Sequence, residues 1–282
     1  MSKIYVSTAC LPGSEALDAR VARYATEGLS AVEFGAGVSV EGELPQGDFL
    51  IHNYFPPPPE PFVLNLASSD ANIRQRSIDM ARSGLVLSAQ IGAPFYSVHA
   101  GFITDPVGFG TTSFIFPMPQ SREEVEAAWE TFLASVALLV DEAERLGVGL
   151  LIENNVCPPD LKGKLLLQTP EEFLALFERI RSPRLGILLD TGHLRVSATT
   201  YGLNSAACIT ALAAHIRAFH LHDNDGHSDQ HLPAERESWA VMAIQSRAFQ
   251  DYPVVVEARH ESAAALARYV RDLQQWRGDS KP

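Results

Sequence analysis

Lysine is nearly missing from this chain of 282 residues: Lys3, Lys162, Lys164 and Lys281 are the whole set. None of them closes an apolar, strand-like run, which disfavours a Schiff-base lysine deep in a site. Cysteine is as scarce. Cys10, Cys157 and Cys208 leave at least one thiol unpaired, and no CxxC spacing occurs. That usage fits a reducing cytoplasm, the expected location. No apolar run approaches the roughly 18 residues needed to span a membrane. The first run, Ile4-Tyr5-Val6-Ser7-Thr8, reads as a strand and not as a charged-then-apolar leader. Positive charge is also in deficit. A formal net charge of −12 disfavours non-specific attraction to nucleic acid or anionic lipid, although it does not exclude a local basic groove.

What is present describes a globular chain, 46% hydrophobic and 20% charged, and residues 1–282 are expected to form one domain. Eight short apolar or β-branched runs stand out: Ile4–Ala9, Ala31–Gly35, Phe49–Asn53, Phe95–His99, Gly149–Asn154, Leu185–Asp190, Ile216–His222 and Pro253–Glu257. Most are separated by helical periodicity, over Ala16–Glu27, Asn72–Ile91, Ser205–His215, Arg236–Ala248 and Ser262–Trp276. Ser121-Arg122-Glu123-Glu124 is a capping-box signal opening a helix that should stop near Leu146-Gly147. Thr169-Pro170-Glu171-Glu172 repeats the signal, with proline at the first helical position.

Strands alternating with helices imply parallel strands and right-handed crossovers. Eight such units predict an α/β chain folded as a (β/α)8 TIM barrel. The second and third runs lie too close for a crossover helix, so one unit between strands 2 and 3 must be degenerate; a doubly wound open sheet is the competing fold. Two loops are distinctive. Pro56–Pro59 is a stiff extended spacer. Phe102–Gln120, rich in phenylalanine and glycine, reads equally as a lid or as a subunit contact, the latter making a homodimer possible.

Chemistry concentrates at one end of the runs. His52, His99, Glu153, Asp190, His220 and Glu257 each stand at or next to the end of a run, where a barrel builds its active face. His193 lies three residues past Asp190, close enough to share its cluster, and Asp229 and His231 follow closely on His220 and His222. Imidazole and carboxylate with hardly any thiol form the ligand set of a divalent cation such as Zn²⁺, Mn²⁺ or Fe²⁺. Taken singly, His99 reads as an ordinary histidine, and Glu153 or Asp190 as a hydrogen-bonded buried acid. Taken jointly, clustered buried acids without lysine or arginine beside them call for bound cations. His222 is placed to replace His220 or to orient it. His215 and His260 read as surface residues, His227 as a loop residue of either kind and Cys157 as a bystander.

The ordered set Leu151-Ile152-Glu153-Asn154-Asn155, Asp190-Thr191-Gly192-His193, Phe219-His220-Leu221-His222-Asp223 and Val255-Val256-Glu257-Ala258-Arg259 resembles the xylose isomerase-like TIM-barrel superfamily. That group joins sugar phosphate isomerases and epimerases with endonuclease IV, in AP endonuclease family 2. The resemblance runs over almost the whole chain. It implies that Glu153, Asp190, His220 and Glu257 are the metal ligands common to both branches. It further implies that His52, His99, His193, Asp229 and His231 match the additional ligands of the endonuclease branch, which holds three zinc ions. Two features depart from that branch. Leu232-Pro233-Ala234-Glu235-Arg236 follows His231 where a Gly-Glu-Gly stretch is usual, and the loop Gly37–Asp48 carries Glu41, Glu43 and Asp48 with no basic residue to grip a nucleic-acid backbone.

Two chemistries follow. In the first, one to three ions (Zn, Mn, Co or Fe) support isomerisation or epimerisation of a small carbohydrate or sugar phosphate, with Glu153 and Glu257 moving a proton and Arg259, Arg195 or His222 contacting substrate. The alternative is a multinuclear zinc phosphoester hydrolase of the endonuclease IV type, with nucleic acid disfavoured by charge. A barrel with a metal but without catalysis is the bland third reading.

Overall fold

The computed structural model describes residues 3–40, 42, 44–110 and 114–278; Glu41, Glu43 and Lys281 lie outside the described residues. Eight parallel strands form the centre: β1 (Ile4–Ser7), β2 (Ala31–Phe34), β3 (Asp48–His52), β4 (Phe95–His99), β5 (Gly149–Glu153), β6 (Leu185–Asp190), β7 (Ile216–Leu221) and β8 (Val254–Val256). Each pairs with its neighbours in sequence, and β8 returns to β1 through Ile4–Val254 and Val6–Val256, closing the ring. The fold is therefore a (β/α)8 barrel, and the open-sheet alternative falls because a closed ring has no free edge.

The degenerate unit is where the spacing predicts it. Between β2 and β3 the described residues contain no α-helix; the two-residue strand Val38–Ser39 pairs instead with Glu15–Ala16. Elsewhere helices α1 (Leu17–Thr26), α2 (Ala71–Ile91), α3 (Arg122–Leu146), α4 (Pro170–Arg179), α5 (Thr191–Tyr201), α6 (Ser205–Leu212), α7 (Trp239–Gln245) and α8 (Ala263–Gly278) surround the ring. The capping signals act as read. The Ser121 hydroxyl accepts from the Glu124 N–H at 3.2 Å, and α3 ends at Gly147 with φ +72°, the left-handed stop that glycine adopts without cost. Helix α7 is shorter than the expected Arg236–Ala248, because the Ser238 hydroxyl caps it at Val241 and Ser246 returns to extended backbone. The first strand also ends early: Thr8–Cys10 turn into a 3-10 segment whose Thr8 carbonyl takes a hydrogen bond from the buried Arg20.

Strand alternation divides the barrel into layers. Val32, Phe34, Ile51, Tyr96, Val98, Ile152, Leu189 and Val256 pack under the helices as part of the main core. Residues of the other parity point to the barrel axis, where Tyr5, Leu50, Phe95, Leu151, Leu188, Ala218 and Val255 form an apolar cluster of their own. Two residues further along the same strands, the inward positions become His52, Ser97, Glu153, Asp190, His220 and Glu257. An apolar plug thus fills the barrel beneath a layer of ionisable side chains, part of which lines a cavity.

Helix α2 lies tightly on β4. A Cβ at Gly84 would stand 2.2 Å from the Tyr96 ring, which is fully buried and whose hydroxyl donates to the Asn53 carbonyl at 2.8 Å. Gly84→Ala is expected to destabilise the fold by about 1–3 kcal/mol through overpacking, seen as a lower urea midpoint. An unchanged midpoint would show that α2 is free to shift.

Candidate metal centre

Each strand delivers its functional side chain by the same device, an inward position at the end of an apolar run. Glu153 is the hub. Its Oε2 lies 3.5 Å from His52 Nε2 and 3.4 Å from His99 Nε2. Its Oε1 lies 3.2 Å from His220 Nδ1 and 3.5 Å from His193 Nδ1. Around His220 Nδ1, Glu257 Oε2 stands at 3.5 Å and Asp190 Oδ2 at 3.7 Å. A third group gathers on Asp229, whose Oδ2 is 3.1 Å from His231 Nε2 and 3.5 Å from His193 Nε2. All nine residues singled out in the sequence therefore converge on one place.

The backbone arranges several of these groups. Asp190 ends β6 and caps α5, accepting from the His193 N–H at 2.7 Å. His193 Nδ1 lies 2.9 Å from the Asn154 carbonyl, an oxygen that can only accept. The Nδ1 therefore carries a proton, while Nε2 faces Asp229, donating to it when protonated and offering a lone pair to a cation once neutral. His231 is set similarly, with Nδ1 at 3.2 Å from the Glu257 carbonyl. Its backbone has φ +51°, a left-handed conformation that is uncommon for a residue with a side chain and that collects at functional sites.

Sequence reasoning missed Glu33. It is fully buried on β2 and its Oε1 lies 2.9 Å from His220 Nε2, so that Nδ1 of the same ring faces Glu153, Asp190 and Glu257. The signal was available: Ala31-Val32-Glu33-Phe34 is an otherwise apolar run with an acid in its middle. Asn154 was missed too. Its amide accepts from the Asp190 N–H at 2.8 Å and donates to the Asp190 carbonyl at 3.0 Å, locking the ends of β5 and β6 together.

Of the three residues expected to meet substrate, only Arg259 lines the cavity above this layer. Arg195 is ion-paired with Asp223 at 2.5 Å. His222 is fully buried, with Nε2 at 3.0 Å from Asp190 Oδ2 and its ring stacked on His231 at 4.2 Å. Its Nε2 also lies 3.8 Å from Asp229 Oδ1, so it backs both acids without lining the cavity; a Cβ at Gly192 would stand 1.9 Å from its ring. His215 stacks on Phe177 at 3.8 Å. The exposed His227 donates its backbone N–H to Asp225. Cys157 donates its thiol to the Pro158 carbonyl, apart from the cluster, and burial pushes that thiol up to about 11.

Electrostatics tie these groups together. Burial pushes Glu153 up, but the imidazoles of His99, His220 and His52 outweigh it and hold its carboxyl well below the usual range. Against a downward push from burial, the Glu33, Glu257 and Glu153 carboxylates raise His220 well above its ordinary value. His193 is raised by Asp190 and Asp229, and His231 by Asp229 and Glu257, again against burial. His52 goes the other way: burial lowers it to about 3, leaving a neutral imidazole.

The residues fit a divalent cation. His220 Nδ1, Glu153 Oε2 and Asp229 Oδ1 are buried with no hydrogen-bond partner among the described residues, a state that interiors rarely tolerate. Glu153, Asp190 and His220 offer ligand atoms within 4.8 Å of one another, as do His52, His99 and Glu153, and His222, Asp229 and His231. Oxygen and imidazole donors without thiolate suit Zn²⁺, Mn²⁺, Co²⁺ or Fe²⁺.

Fold and site together define a parallel barrel whose C-terminal face carries clustered groups that could hold metal. Residues 31–277 match the profile of the xylose isomerase-like TIM-barrel family, and the chain belongs to that family. Among curated proteins it is 29% identical over 172 residues to the uncharacterized protein MJ1311 of Methanocaldococcus jannaschii, a match covering 60% of this chain. The chain thus spans about half (51%) of that relative's length. Among solved structures, a D-tagatose 3-epimerase-like protein superposes with a TM-score of 0.74 at 20% identity, covering 99% of this chain and 98% of that one. An L-ribulose 3-epimerase gives 0.67 at 16% identity, covering 99% and 97%. The TTHB071 protein of Thermus thermophilus, soaked with ZnCl2, gives 0.65 at 22% identity, covering 100% and 99%. At these identities the structural likenesses establish the fold.

The geometry can be tested at Glu33 and by pH. Glu33→Gln should weaken divalent-cation affinity by about 10–100-fold, as removal of a ligand's hydrogen-bond partner does. Titration calorimetry beside an unchanged circular dichroism spectrum tests this, and undiminished affinity would reduce Glu33 to a packing residue. Because His193, His220 and His231 are raised above the ordinary imidazole value of about 6.5 and must lose protons to ligate, affinity should keep rising as pH increases through and beyond that value. Calorimetry in buffers of different ionisation enthalpy should register net proton release; a pH-independent affinity would contradict the assignment.

Proposed function

We propose that this chain is a divalent-metal-dependent isomerase or epimerase of a small carbohydrate. On this reading residues 1–282 act as one barrel domain in the cytoplasm, and nucleic acid is not a partner. Glu153, Asp190, His220 and Glu257 hold the principal ion. The observation that carries the reading is the pair of carboxylates facing His220 Nδ1, Glu153 at 3.2 Å and Glu257 at 3.5 Å, on strands three places apart around the barrel. Both line the cavity.

When bound, the ion supplies Lewis acidity that draws charge from adjacent substrate oxygens and acidifies the neighbouring C–H. One carboxylate takes that proton from one face of the carbon. The other returns a proton from the opposite face, inverting the centre, or to the adjacent carbon, moving the carbonyl. No electrons are gained or lost, so no redox partner is needed. The apolar plug excludes water from below, so that proton exchange runs through the two acids. Arg259, at the rim, meets an oxygen-rich part of the substrate.

A second reading is favoured by the convergence of His52, His99, His193, Asp229 and His231 on the same floor. Nine such groups suit a multinuclear zinc phosphoester hydrolase acting on a small phosphorylated metabolite.

Metal-loaded protein incubated in deuterium oxide with a panel of ketoses and aldoses is expected to place solvent deuterium at one carbon. Glu257→Gln, at verified metal occupancy, should slow incorporation by about 10²–10⁴-fold. Absent incorporation on every sugar, together with cleavage of phosphodiesters by a three-zinc form, would replace this proposal with the hydrolase.

A further inference from the structure

The cavity is larger and less polar than a monosaccharide requires. At about 640 Å³ it lies within the roughly 300–1,000 Å³ of sites that enclose drug-sized ligands. It is also two-ended. The floor is the layer of acids and imidazoles. The rest of the lining is rich in aromatic rings, Phe102, Phe109, Phe114 and Phe116 in one group and Tyr54 and Phe62, 5.5 Å apart, in another.

The four phenylalanines form a continuous row. Ring centroids are 5.1 Å apart for Phe109 and Phe114, 6.3 Å for Phe114 and Phe116, and 4.5 Å for Phe116 and Phe102. Its inner end is anchored. Phe116 belongs to a small cluster with Leu161 and Leu165, separate from the main core, against which Phe102 packs. The Ile103 N–H also donates to the Lys164 carbonyl at 2.9 Å. Its outer end is not absorbed into any core. Phe109 is 66% exposed and Phe114 39% exposed, on two-residue strands that pair antiparallel, Gly108–Phe109 with Phe114–Ile115. Rings held in register yet left open to a cavity have their contact surface available to a ligand. Charge points the same way. Among the described residues, Arg259 is the one arginine lining the cavity and no lysine lines it, while the imidazoles there sit on the floor beside the acids Glu153, Asp229 and Glu257. A phosphate carried at the end of a sugar remote from its reacting carbons would meet rings instead of cations.

Resting on the isomerase reading above and deepening it, we propose that the substrate is bipartite and uncharged: a sugar ring on the acidic floor, joined to a planar aromatic aglycone seated on the phenylalanine wall. The sugar carries a ketone away from its glycosidic carbon; that carbonyl and the adjacent hydroxyl supply the oxygen pair, and the ketone makes the C–H of the hydroxyl-bearing carbon acidic. The aglycone supplies apolar surface, and its stacking on Phe109 and Phe114 fixes which carbon lies between Glu153 and Glu257. Specificity then resides in the hairpin as much as in the floor.

The test compares binding of free hexoses, their 6-phosphates and their phenyl glycosides to the metal-loaded protein by calorimetry, with saturation-transfer NMR locating the contact. For at least one hexose the phenyl glycoside is expected to bind about 10–100-fold tighter than the free sugar, with saturation strongest on the phenyl protons. In Phe109→Ala, chosen because an exposed ring is dispensable for folding, that ratio should fall toward one; Phe114→Ala provides a second reading. A 6-phosphate preferred over every phenyl glycoside, or cellobiose bound as tightly as phenyl glucoside, would overturn the aromatic assignment. So would a Phe109→Ala variant that turns a dimer into a monomer in sedimentation while no aryl preference exists, since the wall would then belong to a second copy. Deuterium incorporation into free sugars without aryl preference sinks this inference alone. Aryl preference without incorporation on any free sugar or aryl keto-glycoside sinks the isomerase reading and leaves the aromatic subsite.

Discussion

The whole arrangement turns on the cost of burying acids. Glu33, Glu153 and Asp190 are essentially inaccessible, and the partners that face them are imidazoles: His220 for Glu33, His52, His99, His193 and His220 for Glu153, and His193, His220 and His222 for Asp190. An imidazole can answer a carboxylate as a protonated cation or, once neutral, as a co-ligand of a metal ion. Either way the negative charge is met inside the barrel and not by solvent. His193 and His220 are accordingly held above the ordinary imidazole range and Glu153 and Asp190 below the usual carboxylate range, while burial prevails at His52, which is lowered, and at Glu33, which is raised. The layer acts as one coupled body, and the loss of one member leaves another buried and unmet.

A barrel suits this purpose because its strands all point their ends at one face. Parity then does the rest. The inward residues Leu50, Leu151, Leu188, Ala218 and Val255 are apolar, and the next inward residues are His52, Glu153, Asp190, His220 and Glu257. A shift of one residue in any strand would send a ligand under the helices and an aliphatic side chain into the site. The short link between β2 and β3 tolerates the loss of a helix because Val38–Ser39 takes up its pairing with Glu15–Ala16, while the register of β2 against β3 is kept from Ala31 to Phe34. Positioning residues such as Asn154 and Glu33 add what strand geometry lacks, a defined orientation for each ring and carboxylate.

Much of this was legible in the chain. The eight apolar runs, the caps at Ser121 and Thr169, the stop at Gly147 and the missing helix after β2 all rest on local rules of periodicity and turn chemistry. The nine metal-capable residues were legible for a related reason, since a polar residue closing an apolar strand is conspicuous in one dimension. Glu33 escaped because it sits inside its run, where an acid could as well be a structural residue on an exposed edge. The distinction between His220, facing the site, and His222, packed behind Asp190, was also hidden, since β7 ends between them.

The order of strands, the ionisable set and the scarcity of lysine are properties of the sequence itself, because each depends on residues close together in the chain or on simple counts. Which histidine nitrogen faces which oxygen was decided only by the tertiary structure. So was the withdrawal of Arg195 into its pair with Asp223, and the meeting of Phe102, Phe109, Phe114 and Phe116 with the face that carries the acids and imidazoles. Those outcomes depend on distances between segments far apart in sequence, which no local pattern encodes and which closure of the barrel alone establishes.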